Sequence, residues 1–309
     1  MTILLSVILP VFLVIGAGFA AARGGLMTAG GIDGLMRFAQ GVAVPCLLFQ
    51  AMASLDLGAN FDLRLVGTFY AGSFTCFLLG LFGSRLLFGR PWEDAVAIGF
   101  VALFSNSLLL GLPITERAFG PGSTQANFAI IAVHSPFCYA VGITAMEIAR
   151  AGGAPLSRVP LKILRGILSN PLVVGILLGV ALNLSGLALP SVASEGLDMI
   201  VRAALPSALF GLGGVIARYR LEGDLPTILF TLSLSLLVHP AIAWGLGTAT
   251  SLDREQFRSV VVTAAMAPGA NAYLFAAMYG RAQRVAASCV LLGTALSVLT
   301  AAGWLALLS

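Results

Sequence analysis

Two stretches of sequence decide the fold: residues 104–113 read FSNSLLLGLP, and residues 267–271 read APGAN. Each stretch lies within a long apolar segment, yet each brings Asn, Gly and Pro close together. Proline lacks a backbone N–H and clashes with the preceding turn, whereas glycine adopts dihedral angles that other residues avoid. We therefore predict that a helix is interrupted at each of the two places.

The apolar surroundings of these stretches indicate a membrane protein. Of the 309 residues, 59% are hydrophobic and 10% are charged, whereas soluble domains carry about 25% charged residues. A hydrocarbon core of about 30 Å needs roughly 20 apolar residues per helix. The sequence therefore predicts an all-α integral membrane protein with ten transmembrane helices, at about residues 2–22, 36–55, 63–86, 94–116, 124–148, 166–187, 197–217, 225–248, 256–280 and 284–308.

The basic residues predict the orientation of these spans. Of the 17 Lys and Arg residues, twelve lie in connections that follow odd-numbered spans and five in connections that follow even-numbered spans. Cytoplasmic loops carry the excess of basic residues. We therefore expect a multi-pass protein of the inner or plasma membrane with both termini extracytoplasmic, in which residues 151–165 form a cytoplasmic linker between residues 1–150 and 166–309.

The two halves of the chain resemble each other. A shift of 161 residues superimposes Pro10 on Pro171, Gly18 on Gly179, Pro45 on Pro206, and Leu48-Phe49 on Leu209-Phe210. Each half holds five spans, an odd number, so the second half enters the membrane inverted. Inverted five-helix repeats are characteristic of secondary transporters. The alternative is a duplicated structural bundle that has no transport role.

The two interrupted stretches occupy corresponding positions of the two halves, because the same shift brings Asn106 next to Pro268. Non-helical backbone at membrane depth occurs only where it is buried in protein or lines a cavity. Paired interruptions of this kind are the best pointer from sequence to a substrate site. The alternative is a pair of kinked helices that pack through Asn hydrogen bonds.

Five short motifs follow one another along the chain: Val44-Pro45…Leu48-Phe49, Asn106…Gly111-Leu112-Pro113, Ser169-Asn170-Pro171, Leu205-Pro206…Leu209-Phe210-Gly211-Leu212-Gly213 and Pro268…Asn271. Together they resemble the auxin efflux carrier (PIN-like) family over essentially the whole chain. The resemblance implies a fold like that of the bile-acid/sodium symporters. Helices 1, 2, 6 and 7 would form a scaffold, and helices 3–5 and 8–10 would form a moving transport domain.

The resemblance also implies that helices 4 and 9 are broken and cross, and that transport follows an elevator mechanism. Plant auxin carriers have an Asn-Pro-Asn-type crossover, whereas this chain has Ser105-Asn106-Ser107, and its connection after helix 5 is short. The chain therefore looks like the bacterial members, some of which move dicarboxylates such as malate or malonate.

The crossover is expected to bind the substrate. Half-helix N-termini carry partial positive charge and free N–H donors, which suits a carboxylate, and Asn side chains add amide donors. We predict that Pro45 and Pro206 lie near the opposite wall of the site. The predicted crossover residues are Ser105, Asn106, Gly111, Pro113, Pro268, Gly269 and Asn271.

The charged residues leave the coupling ion open. Ion-coupled transporters often use a buried Asp or Glu, and no acidic residue lies near the middle of any span. Efflux or uniport of an organic anion is therefore the main prediction, with Na⁺- or H⁺-coupled symport as the alternative. His134 and His239 each lie close to a proline and are candidates for a proton or polar relay. The other interpretation is a neutral imidazole that hydrogen-bonds to a carbonyl freed by proline.

Other classes of protein fit the sequence less well. Channels usually assemble around an axis, and an intramembrane enzyme would need a nucleophile–base pair, a metal-ligand cluster or paired carboxylates. We expect no enzyme activity, metal, cofactor or nucleic-acid partner. The expected partners are a small organic anion (a carboxylate), the lipid bilayer and, in the symport alternative, H⁺ or Na⁺. The number of copies stays open between a monomer and a homodimer.

Overall fold

The structure, a computed structural model, describes residues 4–55, 62–151 and 159–308. Within these ranges the regular structure is helical, and the one bridge between extended residues joins Ser105 to Pro268. The helices are α1 (Leu9–Arg23), α2 (Ala29–Ser54), α3 (Leu63–Phe88), α4 (Trp92–Leu103), α5 (Leu112–Phe119), α6 (Gln125–Ala151), α7 (Val159–Leu168), α8 (Pro171–Ser185), α9 (Ser191–Ile216), α10 (Leu225–Ala249), α11 (Arg254–Ala264), α12 (Ala270–Tyr279) and α13 (Gln283–Leu307).

Seven helices of the described ranges are long and apolar enough to cross a bilayer, namely α2, α3, α6, α9, α10, α13 and the segment Ser6–Arg23 that contains α1. Helix α8 is apolar but shorter. Large apolar side chains such as Leu13, Leu178 and Leu299 are exposed on these helices, as expected for surfaces that face lipid rather than water. The helices therefore suit a multi-pass membrane protein.

Some helices extend beyond the predicted spans. Helix α2 begins at Ala29 rather than near residue 36, because the Thr28 hydroxyl caps it by accepting from the Gly31 backbone N–H at 3.1 Å. Helix α9 begins at Ser191, directly after Pro190, rather than near residue 197. The added turns contain acidic residues, Asp33 in α2 and Glu195 in α9. An apolar window excludes such residues, although they sit without difficulty on a helix that extends past the hydrocarbon.

The predicted linker at residues 151–165 is partly helical. Helix α7 covers Val159–Leu168, and the predicted sixth span is interrupted at Ser169 and Asn170. The Asn170 side chain caps α8 by accepting from the Leu172 backbone N–H at 3.0 Å. A proline at the first helical position, here Pro171, favours a new helix start. Residues 152–158 of the linker lie outside the described residues.

The chain divides into two compact units. The larger unit comprises Met1–Leu9, Phe61–Leu164 and Tyr219–Ser309, and the smaller comprises Pro10–Asn60 and Arg165–Arg218. The smaller unit therefore contains most of α1, with α2, α8 and α9. The larger unit contains α3–α6 and α10–α13.

Close contacts through glycine hold the smaller unit together. Gly18 of α1 lies against the Phe210 carbonyl of α9, and Gly179 of α8 lies against the Phe49 carbonyl of α2. A Cβ at either glycine would overlap that carbonyl. Because apolar lipid gives helices no hydrophobic reason to associate, small residues that allow close approach supply much of the attraction.

In the larger unit a tryptophan compensates for a proline inside helix α10. Pro240 cannot donate to the Leu236 carbonyl four residues earlier, and a wide turn of π-helix, Leu234–Val238, precedes it. The indole N–H of Trp304 in α13 donates to that carbonyl at 3.0 Å. The freed acceptor is thus satisfied without water, as buried backbone groups require.

Candidate functional site

The two apolar segments that contain the decisive stretches are each divided into two helices in the larger unit. One extended stretch separates α4 from a π-type turn at Ser107–Gly111 that leads into α5, and the other separates α11 from α12. The stretches pair in antiparallel fashion through a bridge between Ser105 and Pro268, which we call the pairing point. The Asn106 N–H donates to the Ala267 carbonyl at 2.8 Å, and the Gly269 N–H donates to the Phe104 carbonyl at 3.1 Å. Each interruption therefore supplies partners for backbone groups freed by the other.

Asn106 is buried, and its side chain caps the helical segment that follows it. Its Oδ1 accepts from the Leu109 backbone N–H at 3.3 Å. The amide nitrogen Nδ2 is buried and has no hydrogen-bond partner in the described structure, and the same holds for the hydroxyl oxygen of Ser105. A buried polar group left unpaired costs about 1–3 kcal/mol. Two adjacent residues at the pairing point therefore keep hydrogen-bonding capacity that the protein does not use.

Pro268, Gly111 and Gly269 pack closely against their neighbours, but steric crowding does not require glycine at positions 111 and 269. A Cβ at Gly269 would lie 3.5 Å from Asn106 Cα, and one at Gly111 would lie 3.5 Å from Met266 Cγ. Both are ordinary contact distances, so alanine fits at either position. Pro268 itself pairs with Ser105 and lies against Gly293 of α13, where a Cβ would come within 3.1 Å of the proline Cδ.

His134 is the predicted relay residue that reaches the crossover. It is buried in α6, and its Nε2 lies 3.0 Å from the Ser105 carbonyl oxygen. A carbonyl accepts only from an N–H, so Nε2 carries hydrogen in this contact. The acceptor is freed by the interruption after α4 and not by Pro136, the neighbouring proline. The Phe104 ring lies edge-on to the imidazole at 4.6 Å between centroids.

His239 lies elsewhere in the larger unit. It is buried in α10, and its Nε2 is 3.4 Å from the Phe69 carbonyl oxygen of α3. Its ring packs against Phe69 at 5.0 Å between centroids and fills the space left by Gly72. These contacts of His239 involve α3 rather than the crossover, so they resemble those of a packed core histidine.

A charged cluster joins two of the half-helices at the end away from the pairing point. Glu93, at the start of α4, forms ion pairs with Arg150 at 3.0 Å and with Arg281. Arg150 also donates to the Tyr279 carbonyl at 2.7 Å, where α12 ends. Nearer the pairing point, the rings of Phe100 in α4 and Phe275 in α12 stack at 3.9 Å. Helices α4 and α12 are thus fixed to each other along their length.

Asn127 links the other two half-helices. Its amide nitrogen donates to Thr263 Oγ1 of α11 at 2.8 Å and to Thr115 Oγ1 of α5 at 3.3 Å. All three side chains are fully buried. Nothing in the sequence indicates that Asn127 lies between the two interrupted segments. Its position depends on the pairing of α5 with α11, which a single helix does not reveal.

The remaining predicted site residues occupy three places. Pro113 is buried in α5, and Asn271 is half-buried in the first turn of α12, three residues after Pro268. Pro45 and Pro206 lie within continuous helices α2 and α9 of the smaller unit. The Pro45 carbonyl is in close contact with Gly175 of α8.

The arrangement can bind an anion without a basic side chain. The helical segment that begins at Ser107 and helix α12 that begins at Ala270 both start at the pairing point, so two helix N-termini with partial positive charge converge there. The unused capacity of Asn106 Nδ2 and Ser105 Oγ adds two short-range donors. Hydrogen bonds from such groups to a charged acceptor are stronger than those to a neutral one.

Comparison with known proteins identifies the family. Residues 3–305 match the family model described as membrane transport protein. A Rhizobium meliloti protein named "Putative malonate transporter" is 25% identical over 308 residues, which cover 98% of this chain and 95% of that protein. A transporter of Methanothermobacter thermautotrophicus without an assigned role is also 25% identical, covering 96% of each chain. An Escherichia coli K12 transporter, likewise without an assigned role, is 21% identical over 99% of this chain and 98% of its own.

The family model spans nearly the whole chain, and the three relatives named above match it over 96–99% of its length. The apolar helices agree with a membrane protein, and the family description and the names of the relatives point to a transporter rather than an enzyme. The chain belongs to the membrane transport protein family, the family of the auxin efflux carriers, and it is a membrane transporter.

Proposed function

We propose that this transporter moves a small organic anion, a carboxylate, across the inner membrane by elevator-type alternating access, as a uniporter that favours efflux. The larger unit, with the paired interruptions, would be the moving transport domain, and the smaller unit would be the scaffold. The anion would bind at the crossover, held by Asn106, Ser105 and the N-termini of the two helical segments.

The observation that carries this proposal is the pair of unpartnered polar groups at the crossover. Asn106 Nδ2 and Ser105 Oγ are both buried and unbonded in the described structure. Two helical segments begin beside these groups. Asn106 is the N-cap of the segment that starts at Ser107, and Gly269 is the N-cap of α12. A carboxylate oxygen accepts several hydrogen bonds, so one carboxylate can satisfy both groups. Hydrogen bonds from these buried groups to a carboxylate would then offset the cost of burying them and add to the affinity.

The ten-helix inverted repeat belongs to the same proposal, and contacts within the smaller unit support it. Gly18 contacts the Phe210 carbonyl, and Gly179 contacts the Phe49 carbonyl. The 161-residue shift converts one contact into the other, because Gly18 superimposes on Gly179 and Phe49 on Phe210. At the crossover, the shift takes Asn106 to Ala267, the residue with which its backbone bonds. Such exchanged contacts are expected when two similar halves pack around a two-fold axis.

The lack of a buried acid near the site supports uniport. The sequence holds no Asp or Glu at residues 95–115 or 256–280, where ion-coupled transporters often place one. One charge that crosses 100 mV gains about 2.3 kcal/mol. With an inside-negative potential this term drives an anion outward, to a concentration ratio of roughly 50, since 1.4 kcal/mol corresponds to tenfold.

Proton symport is the second candidate, and one contact favours it. The His134 Nε2 lies 3.0 Å from the Ser105 carbonyl, so protonation of His134 would change the charge beside the crossover directly. Uptake of an anion against the potential requires a co-transported cation, and His134 is the titratable side chain best placed to carry a proton there.

A screen of carboxylates on the purified protein tests the substrate class. Malonate is the first probe because the Rhizobium relative carries it in its name, and acetate, malate, indole-3-acetate and an amine of similar size complete the panel. We expect at least one carboxylate, and not the amine, to raise the thermal unfolding temperature. A shift produced by the amine alone would contradict the proposal.

Transport assays in proteoliposomes with controlled voltage, pH and Na⁺ then separate the coupling modes. Uniport predicts flux that follows voltage at any Na⁺ concentration, while strict dependence on a pH gradient would replace it with proton symport and strict Na⁺ dependence with sodium symport. A carrier also gives saturable flux that is stimulated by substrate on the opposite side, whereas a channel does not.

A further inference from the structure

The helix at the predicted linker has a surface that the transport proposal does not use. Along α7 (Val159–Leu168), three leucines lie at i, i+3 and i+7 and so share one face. They are exposed by 68% at Leu161, 52% at Leu164 and 51% at Leu168. Val159 is buried, and Ile163 is partly buried. Helix α7 thus has Val159 and Ile163 on its less exposed side and a row of exposed leucines on the other.

Two basic residues flank this row. Arg165 is exposed and forms no ion pair within the described ranges. Lys162 pairs with Glu147 at 2.7 Å, yet its side chain remains 54% exposed. The sequence contains no Asp or Glu from residue 148 to residue 194. The surface around α7 therefore combines exposed apolar side chains with positive charge, and Glu147 is the carboxylate paired with it in the described residues.

The length of the next helix places α7 at the edge of the bilayer. Helix α8 has 15 residues, which extend over about 22 Å at 1.5 Å per residue. A hydrocarbon core is about 30 Å thick, so α8 alone does not cross it. Helix α7 follows the membrane-spanning part of α6 and precedes α8, and its leucines can fill the remaining depth. Lys and Arg side chains at that level extend their charged ends towards the headgroups.

We propose that α7 is a binding site for anionic phospholipid, in which Lys162 and Arg165 bind the phosphate of the headgroup and Leu161, Leu164 and Leu168 contact the acyl chains. The combination of an apolar face with flanking cations is typical of helices that lie in the membrane interface. This site is separate from the crossover and does not depend on the transported substrate.

Titration of purified protein with phosphatidylglycerol or phosphatidylcholine, read by native mass spectrometry, tests the proposal. Each Lys or Arg near an anionic surface contributes about 1 kcal/mol, so the double variant Lys162→Gln/Arg165→Gln should bind phosphatidylglycerol roughly 30-fold more weakly. Binding of phosphatidylcholine should not change. The matched control is Arg202→Gln/Arg254→Gln, which also removes two exposed positive charges and should leave both affinities within twofold.

Glu147→Gln separates lipid binding from a structural ion pair. This variant breaks the Lys162–Glu147 pair but keeps the cation, so it should bind phosphatidylglycerol as well as the unmodified protein or better. Equal losses in Lys162→Gln and Glu147→Gln would show that the pair matters only for structure and would overturn the proposal. Retention of wild-type affinity by the double variant, or an equal loss in the control, would do the same. Equal unfolding temperatures in phosphatidylcholine nanodiscs establish that the variants are folded.

Discussion

Replacement of Asn106 by aspartate isolates the donor that we assign to substrate binding. The Asn106 side chain has two functions in the structure: Oδ1 caps the following segment by accepting from the Leu109 N–H at 3.3 Å, and Nδ2 is unpartnered. Aspartate keeps an oxygen for the cap and replaces the donor by a second acceptor. Alanine, in contrast, removes both functions and adds the loss of a helix cap, about 0.5–2 kcal/mol.

The expected loss follows from the bond that disappears. A hydrogen bond to a charged group contributes about 1.5–3 kcal/mol, so Asn106→Asp and Asn106→Ala should each weaken carboxylate binding by roughly 10- to 150-fold. Aspartate should lie at the upper end or beyond, because its negative charge repels the substrate. The assay is a thermal-shift or calorimetric titration with the carboxylate that gives the largest shift for the unmodified protein.

Asn170 provides the matched control. It is also an N-cap asparagine, and its side chain accepts from the Leu172 N–H at 3.0 Å. However, it lies in the smaller unit, at the start of α8. Asn170→Asp should therefore bind the carboxylate like the unmodified protein. If Asn106→Asp binds normally while the protein is folded, the crossover does not hold the anion as we propose. If both variants lose affinity equally, the effect is a general one of the added negative charge and not of the lost donor at the crossover.

Three further predictions concern packing, coupling and orientation. Gly179→Val should lower the free energy of unfolding by about 1–3 kcal/mol or more, because the valine side chain would meet the Phe49 carbonyl. Gly16→Val, at a glycine where an added Cβ would have nothing within 4 Å, should change it little. Equal effects of the two variants would refute the close helix contact. His134→Gln keeps a donor for the Ser105 carbonyl and should retain voltage-driven transport, whereas His134→Phe removes the donor and should impair this transport. Loss of pH-driven transport in His134→Gln would instead identify His134 as a proton carrier. Reporter fusions at Ser309 and Gly153 should report an extracytoplasmic C-terminus and a cytoplasmic linker, and a cytoplasmic C-terminus would overturn the ten-helix count.

Much of the helical architecture could be predicted from the sequence because hydrocarbon imposes a simple requirement. A span must be apolar over roughly 20 residues, and segments such as 63–86 and 284–308 meet it without ambiguity. The ends of helices were harder to predict. Helices α2 and α9 carry Asp33 and Glu195 in turns beyond the apolar core, and hydropathy alone gives no reason to include them.

The interruptions were also visible, since Pro268 and Gly269 in one segment and the Asn106…Pro113 run in the other are poor sequences for a continuous helix. What the sequence did not reveal is how the freed groups are satisfied. The antiparallel pairing of Ser105 with Pro268, the contact of His134 with the Ser105 carbonyl, and the bridging position of Asn127 all join residues far apart in the chain. Hydrophobic periodicity describes one helix at a time and carries no information about such pairs.

Helix α7 is a different case, because its sequence was informative and was nevertheless assigned to a linker. Val159–Leu168 is apolar and amphipathic, but it is too short to span a membrane and carries Lys162 and Arg165. A search for spans discards such a segment. A search for interfacial helices, which need one apolar face and flanking cations, would have found it.

Counterflow in proteoliposomes tests the central claim, that a carrier binds a carboxylate at the paired interruptions, most directly. Vesicles loaded with the best-binding carboxylate of the panel are diluted into a trace of the same radiolabelled compound. The proposal predicts transient, saturable accumulation of label with the unmodified protein and with Asn170→Asp, and its loss with Asn106→Asp. Accumulation that Asn106→Asp leaves unchanged, or flux that does not saturate and is not stimulated by internal carboxylate, would contradict the proposal.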